Sequence, residues 1–477
     1  MATDYEELKE RREPGYRDVN ERLGDYMEVE RTLSIDEGKE QALRCMSCGT
    51  PFCHGYACPL DNIIPETNEL IMEDRWEEAL ELLLFTHPFP EFTARICPAL
   101  CEGSCVRAIN DQPVTIRQLE KMIIEKGFHE GWVKPRPPAR RRTENIAVIG
   151  SGPAGLAAAD RLNKFGFNVT VYEKELNPGG LLLYGIPNFK LDKNIVKRRI
   201  KLMQEEGIVF ECGVNAGSDI SYNYLKRRFS AVLLTGGTQL PRDLNIPGRK
   251  LDGVIFAMPF LKAQNKRIIG EPLAPEEDIT AKNKKVVIIG GGDTGSDCLG
   301  TALRQGAEEV YQFEILPRPP ECRSEDNPWP LWPQVDRISS SHLEGGKRRW
   351  SVTTKKFEGD AGGKLKRLHC CEVKWIKKDG KNFPAEVEGS SFTVETDLAI
   401  LAMGFLGPGP DPLADKLALK RDNQGNIAVD NDHMTDMPGI FSAGDMARGQ
   451  SLVVRALADG KNAADKIAAF IGPALRR

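Results

Sequence analysis

Two short apolar runs, each closing on a glycine-rich turn, constrain this chain more than any other feature. IAVIG (146–150) opens the turn Gly150-Ser-Gly152-Pro153-Ala154-Gly155, and an alanine-rich helical stretch follows, LAAADRLNKFG. KKVVIIG (284–290) opens Gly290-Gly-Gly292-Asp293-Thr294-Gly295, again with a helical stretch behind it. In such a turn the first glycine permits the tight bend and the second lets backbone approach a pyrophosphate. The third lets helix and strand pack closely. The helix N-terminus then offers unpaired N–H groups and a favourable dipole to phosphate. A second strand follows each helix and ends on an acid, Glu173 after Gly150 and Glu314 after Gly290, where a carboxylate binds ribose hydroxyls. The two units stand about 140 residues apart, too far for a solenoid repeat. They predict an α/β fold with two Rossmann-like dinucleotide-binding domains.

The stretch before them is different in kind. Residues 1–140 are cysteine-rich with short helical patterns. One is RWEEALELLLF (75–85), which puts Trp76, Leu80, Leu83 and Leu84 on one face. KPRPPARRR (134–142) is Pro-rich, basic and aperiodic, and reads as a solvated linker. The last segment, GIFSAGDMARGQSLVVRALADGKNAADKIAAFI (439–471), is a strand, a turn and a long helix expected to complete the first glycine module. The expected division is therefore a mainly helical domain over 1–140, a first dinucleotide domain over 141–270 and 400–477, and an inserted second one over 271–399.

Seven of the twelve cysteines fall in the first unit: Cys45, Cys48, Cys53, Cys58, Cys97, Cys101 and Cys105. A dense cluster in a reducing compartment points to metal or redox chemistry rather than disulfides. Runs ending in Cys-Pro, as the first does at Cys58-Pro59, occur in iron–sulfur ferredoxins, and with Cys97-Pro98-x2-Cys101-x3-Cys105 this pattern is a looser version of theirs. Structural zinc takes similar spacings and stays an alternative on spacing alone. Two [4Fe–4S] clusters need eight ligands, so either one ligand is not a cysteine, with His54 a candidate by proximity, or one cluster is incomplete. Cys212, Cys298, Cys322, Cys370 and Cys371 are scattered, form no CxxC beside a flavin, and read as packing residues.

Composition narrows the partners. A formal net charge of −4 argues against nucleic acid. No apolar run reaches the ~18 residues of a membrane helix. The polar, acidic start MATDYEELKERREPG has the character of neither a signal nor a transit peptide. A cytoplasmic protein without a membrane partner is expected.

Two dinucleotide modules in one chain suggest two dinucleotides that react together, most economically FAD and NAD(P)H. The order GSGPAG, inserted GGGDTG, then Ala443-Gly444-Asp445 resembles the two-dinucleotide flavoprotein fold. That resemblance puts FAD on the first module, with Gly444 and Asp445 near its ribitol and pyrophosphate. Gly179, Gly180, Leu181 and the segment Tyr184-Gly185-Ile186-Pro187 then lie beside the flavin. NAD(P)H falls to the second module. Glu314 suits a free 2′-OH and favours NADH, whereas Arg318 and Arg323 could clamp a 2′-phosphate; the reading leans to NADH.

RCMSCGTPFCHGYACPLDNIIPE, FTARICPALCEGSCVRAI, VTIRQLEK, YGIPNFKLDK, GGGDTGSDC, NPWPLWP (327–333) and PGIFSAGDMARGQSLVVRAL resemble the small (beta) subunits of glutamate synthases over essentially the whole chain. The first part is also similar to the electron-input part of dihydropyrimidine dehydrogenase. The resemblance implies one [4Fe–4S] cluster on Cys45, Cys48, Cys53 and Cys105. It implies a second on Cys58, Cys97, Cys101 and the side-chain oxygen of Glu120, which displaces His54. It further implies hydride transfer from nicotinamide to flavin with no catalytic acid or base, and electrons leaving singly through the clusters. A large subunit would use them to make two glutamates from glutamine and 2-oxoglutarate. The input subunit of a bifurcating NAD(P)H–ferredoxin oxidoreductase or of a pyrimidine reductase shares these motifs. Trp329 and Trp332 read as core or interface anchors.

Overall fold

The computed structural model describes residues 10–378 and 380–472. The first unit is helical, and its principal helices are Ile35–Ala42, Ile64–Met72, Trp76–Thr86, Pro90–Ile96 and Ile116–His129. Local chemistry sets several of their starts. Ser34 and Glu37 form a reciprocal capping box on the first, and Pro65 and Pro90 occupy first-turn positions where no N–H is needed. The helix expected over 75–85 is Trp76–Thr86, and it buries Trp76, Ala79, Leu80 and Leu83. These meet Ile116, Leu119, Met122 and Ile123 in a core of their own.

The first Rossmann sheet has five parallel strands in the order Ile440–Ser442, Ala231–Leu234, Asn145–Ile149, Asn168–Glu173, Val209–Cys212. Val148 lies opposite both Val171 and Leu233. The continuous apolar strands are covered on both faces, as a parallel sheet requires. The C-terminal segment returns as expected: Ile440–Ser442 adds the edge strand, and helix Val453–Ile471 packs on Pro153–Lys164. Gly460 allows that approach, since a Cβ there would stand 2.0 Å from the Ala154 carbonyl oxygen.

The second sheet repeats the arrangement with Val254–Phe256, Leu398–Leu401, Lys285–Ile289, Glu309–Phe313 and Lys347–Arg349, all parallel. Two expected boundaries shift. Val254–Phe256 pairs with Leu398–Leu401, so the second module begins before residue 254 rather than at 271. Leu398–Leu401 lies in this sheet and straddles the edge drawn at 399/400. Three-residue VIF carries no periodicity that could assign it to a sheet. An antiparallel sheet of Val352–Gly359, Leu365–Lys378, Lys381–Glu386 and Phe392–Glu395 lies within the second module. The short pair Leu240–Pro241 and Phe405–Gly407 joins the segments that pass between the modules.

The helical unit is fastened to both modules. Leu60, Phe89 and Phe92 enter the core of the first, and Arg199 pairs with the buried Glu91 at 2.5 Å. The linker arginines are not merely solvated. Arg141 donates to Asn163 Oδ1 and the Phe167 carbonyl, and Arg142 stacks 4.2 Å from the Phe167 ring centre. Among the described residues no helix is long and apolar enough to cross a membrane.

Candidate functional site

Both glycine turns are built alike. Gly150 has φ +105° and Gly290 φ +126°, a region open to glycine. A Cβ on Gly155 would stand 2.0 Å from the Gly150 oxygen, and one on Gly295 2.2 Å from that of Gly290. At Gly152 and Gly292, by contrast, a Cβ would meet nothing within 4 Å. The helices Pro153–Lys164 and Asp293–Arg304 start there with no side-chain cap. Each turn therefore presents bare N–H groups to open space, the cradle a pyrophosphate fills.

The acids at the strand ends grip these turns. Glu173 Oε2 accepts from Ser151 N at 3.0 Å and from its hydroxyl at 2.5 Å, and Oε1 accepts from Glu175 N at 2.9 Å. Glu314 Oε2 accepts from Gly291 N at 2.7 Å, and Oε1 from Leu316 N at 2.8 Å. The sequence reading missed the braces beneath: Thr235 Oγ1 donates to the Gly150 oxygen and Gln312 Nε2 to the Gly290 oxygen, both at 2.9 Å. The TGG after strand Ala231–Leu234 was the available signal for Thr235; Gln312 left none.

The loop expected beside the flavin lies against the first turn. Gly179 N donates to the Ser151 hydroxyl at 2.9 Å, and a Cβ on Gly180 would stand 2.7 Å from Gly152 Cα. Leu181 is exposed. Gly444 abuts Ala154, and its N–H donates to Asp459 at 2.7 Å. Asp445 accepts from the Ser451 hydroxyl at 2.7 Å, and burial raises its pKa. In the second module Arg318 pairs with Asp336 at 2.9 Å. Arg323, weighed as a phosphate clamp, turns the other way and donates to the Gly103 carbonyl at 2.7 Å.

The seven clustered cysteines are free thiols and fall into two groups. Cys45, Cys48, Cys53 and Cys105 line one recess, with Met46, Phe52 and Ile64 around them. Burial pushes Cys53 up to about 12, and the charges of Cys105, Cys45 and Cys48 add to the effect. Cys58, Cys97 and Cys101 sit around Glu120. Burial, with the charge of Glu120 added to it, raises Cys58 to about 12 and Cys97 to about 11. Cys101 rises for the same two reasons. Burial lifts Glu120 to about 7, against a 2.8 Å hydrogen bond from Asn62 Nδ2. An adjoining recess is lined by Glu120 and Asn62 but by none of the three cysteines. His54 Nδ1 lies 2.7 Å from the Asn62 carbonyl, a loop contact.

Buried thiols that resist ionisation are poor ligands until a cation stabilises the thiolate. Two groups of buried thiols, one with a carboxyl beside it, are donor sets that iron–sulfur clusters use. Of the remaining cysteines, Cys298, Cys370 and Cys371 are buried as expected, whereas Cys322 is exposed.

Paired glycine cradles on twin Rossmann sheets, behind a helical cysteine-rich unit, define a two-dinucleotide flavoprotein fold fused to an iron–sulfur domain. Family models divide the chain in the same way: "Pyridine nucleotide-disulphide oxidoreductase" matches residues 144–460, and "Dihydropyrimidine dehydrogenase domain II, 4Fe-4S cluster" matches 22–132. The fold is shared with FprA from Mycobacterium tuberculosis, at TM-score 0.56 and 20% identity over 70% of this chain and 85% of that one. The chain belongs to the glutamate synthase small-chain family. It is 50% identical to the Mycobacterium tuberculosis "Glutamate synthase [NADPH] small chain", over 97% of this chain and 94% of that one. It is 45% identical to the Schizosaccharomyces pombe "Glutamate synthase [NADH]", over 96% of this chain and 22% of that longer protein. The expected lean to NADH gains no support from these names, because the more similar of the two is an NADPH protein.

Proposed function

We propose that the chain is the electron-input subunit of a glutamate synthase, an NAD(P)H oxidoreductase that feeds a large chain making glutamate from glutamine and 2-oxoglutarate. The observation that supports this reading is one polypeptide with two glycine turns and two separate cysteine groups, the second with Glu120 close enough to raise its thiols. When bound, FAD accepts hydride from the nicotinamide and iron–sulfur clusters pass electrons on singly. The chain's own part is to hold and orient these groups.

In this reading Gly150, Gly152, Pro153, Ala154 and Gly155 cradle the FAD pyrophosphate, and Glu173 fixes the turn beside the ribose. Gly180, Leu181, Gly444 and Asp445 border the flavin. Gly290, Gly292, Asp293, Thr294 and Gly295 receive NAD(P)H, with Glu314 and Arg318 at the ribose end. Cys45, Cys48, Cys53 and Cys105 hold one [4Fe–4S] cluster; Cys58, Cys97, Cys101 and Glu120 hold the other. The domains divide at about residue 140, with the nucleotide-accepting domain inserted in the flavin domain. For the coenzyme, two backbone N–H groups hold the Glu314 carboxylate at the turn, and Asp336 engages Arg318. Both features support NADH over NADPH.

The test is anaerobic purification, assay of FAD, iron and acid-labile sulfide, titration with NADH and with NADPH, and co-purification with a glutamate synthase large chain. Bound flavin, iron and sulfide, with bleaching by a reduced nicotinamide nucleotide, are expected. Colourless protein overturns the reading. Faster flavin reduction by NADPH overturns only the coenzyme choice.

A further inference from the structure

Residues 318–337 leave the ribose end of the second module and cross to the iron–sulfur unit. They land on Gly103–Cys105, the loop joining Cys101 of one cysteine group to Cys105 of the other. Arg323 donates to the Gly103 carbonyl at 2.7 Å, the Ser104 hydroxyl to the Pro330 carbonyl at 2.7 Å, and the Trp329 indole N–H to the Cys105 carbonyl at 3.3 Å. Trp332 lies so close that a Cβ on Gly103 would stand 2.9 Å from its ring. The Trp329 ring packs on Phe52 with centroids 4.7 Å apart, and Phe52 and Cys105 both line the larger sulfur recess.

The segment is braced internally. Asn327 Nδ2 donates to the Trp332 carbonyl at 3.1 Å, Asn327 Oδ1 accepts from Gln334 N at 2.8 Å, and Arg337 stacks 3.8 Å from the Trp332 ring centre. Arg318 and Arg348 hold Asp336 at its base.

We propose that this strap of the nucleotide-binding module backs the Phe52–Cys105 wall of the Cys45–Cys48–Cys53–Cys105 recess, and that Trp329 is a positioning residue for Cys105. The proposal rests on these four cysteines being cluster ligands. The indole N–H fixes the peptide that aims the Cys105 thiol, while the Trp329 and Phe52 rings, packed at a tilt, keep water from that wall. Hydrogen bonding around the ligands and solvent access are the protein's means of tuning an iron–sulfur group. The second module cannot swing away from the helical unit without releasing the Trp329 contacts to Phe52 and Cys105.

The experiment compares wild type, Trp329→Ala, Trp329→Phe and Ser104→Ala, all anaerobic and full-length. The readouts are the rate at which a ferrous chelator extracts iron and the EPR spectrum of the reduced protein; FAD content reports folding. Trp329→Ala should lose about half its iron about 10-fold faster than wild type, with one of two EPR signals altered and the other unchanged. Trp329→Phe, which keeps the ring but lacks the N–H, should fall between. Should Trp329→Ala fail to retain FAD, Trp329→Phe and Ser104→Ala decide. Wild-type release rates and spectra in the folded variants overturn the strap proposal and leave the cluster reading standing. A wild type devoid of iron and sulfide overturns the cluster reading itself.

Discussion

Arg22, near the start of the chain, and Glu344, in the second dinucleotide module, form a fully buried ion pair at 2.9 Å, 1% and 0% exposed. Arg304 approaches the same carboxylate from the other side and is equally buried. Removing one member of such a group leaves uncompensated charge in a low-dielectric interior. Glu344→Ala should therefore lose about 3–5 kcal/mol of stability, read as an earlier denaturation midpoint in urea. A midpoint equal to wild type would mean the cluster contributes nothing.

Gly155→Val should abolish flavin binding, because even a single Cβ at this site meets the Gly150 oxygen at 2.0 Å. Flavin released on heat denaturation, per chain, should fall to near zero. Gly152→Ala faces open space in the absence of nucleotide. It should keep its thermal stability and weaken FAD alone.

The two cysteine groups should be separable. Cys53→Ser and Cys97→Ser should each reduce iron from about eight to about four atoms per chain, the content of one cubane instead of two. The two variants should lose different EPR signals. Loss of the same signal in both would mean that the cysteines belong to one site.

Glu314→Ala removes the acid that binds the Gly291 N–H. Relative to wild type, kcat/KM for NADPH over NADH should rise about tenfold, or ~1.4 kcal/mol. Steady-state kinetics with an artificial electron acceptor measures this ratio without the large chain.

His87 should give the protein an acid-side weakness. It is buried, its Nε2 lies 2.6 Å from the Thr93 hydroxyl, and its Nδ1 accepts from Phe89 N. Burial, with the charges of Lys461 and Arg199, lowers its pKa from 6.5 to about 3. The unfolded chain therefore binds the proton more readily between these values. The stabilisation is complete above the unfolded pKa and is lost as pH falls towards the folded one. Between pH 6.5 and 5 the loss should be about 2 kcal/mol. His87→Gln should flatten that part of the stability profile, and an unchanged slope would rule His87 out as its source.

Some of this protein could be read directly from residue order. Glycine turns and the 3.6-residue period of Trp76–Thr86 act within one or two turns of backbone, so their neighbours are known in advance. Gly150 and Gly290 belong here, as do Glu173 and Glu314, a fixed distance beyond each turn. Family likeness supplied what spacing did not: an expected division of the seven cysteines, with Glu120 expected to join three of them. Spacing alone left zinc open.

Other features came into view only with the fold. Val254–Phe256 was assigned to the wrong module because its partner, Leu398–Leu401, lies far along the chain. Arg141 and Arg142 read as solvated and Arg323 as a phosphate clamp, yet each is anchored by a group distant in sequence. Trp329 could not be placed in core or interface until the strap was seen lying on Cys105. Backbone preference and the reach of a turn are local and travel with the sequence. The worth of a charge, an indole or a short strand depends on what stands within a few ångströms in space, and the packing of the whole chain decides that.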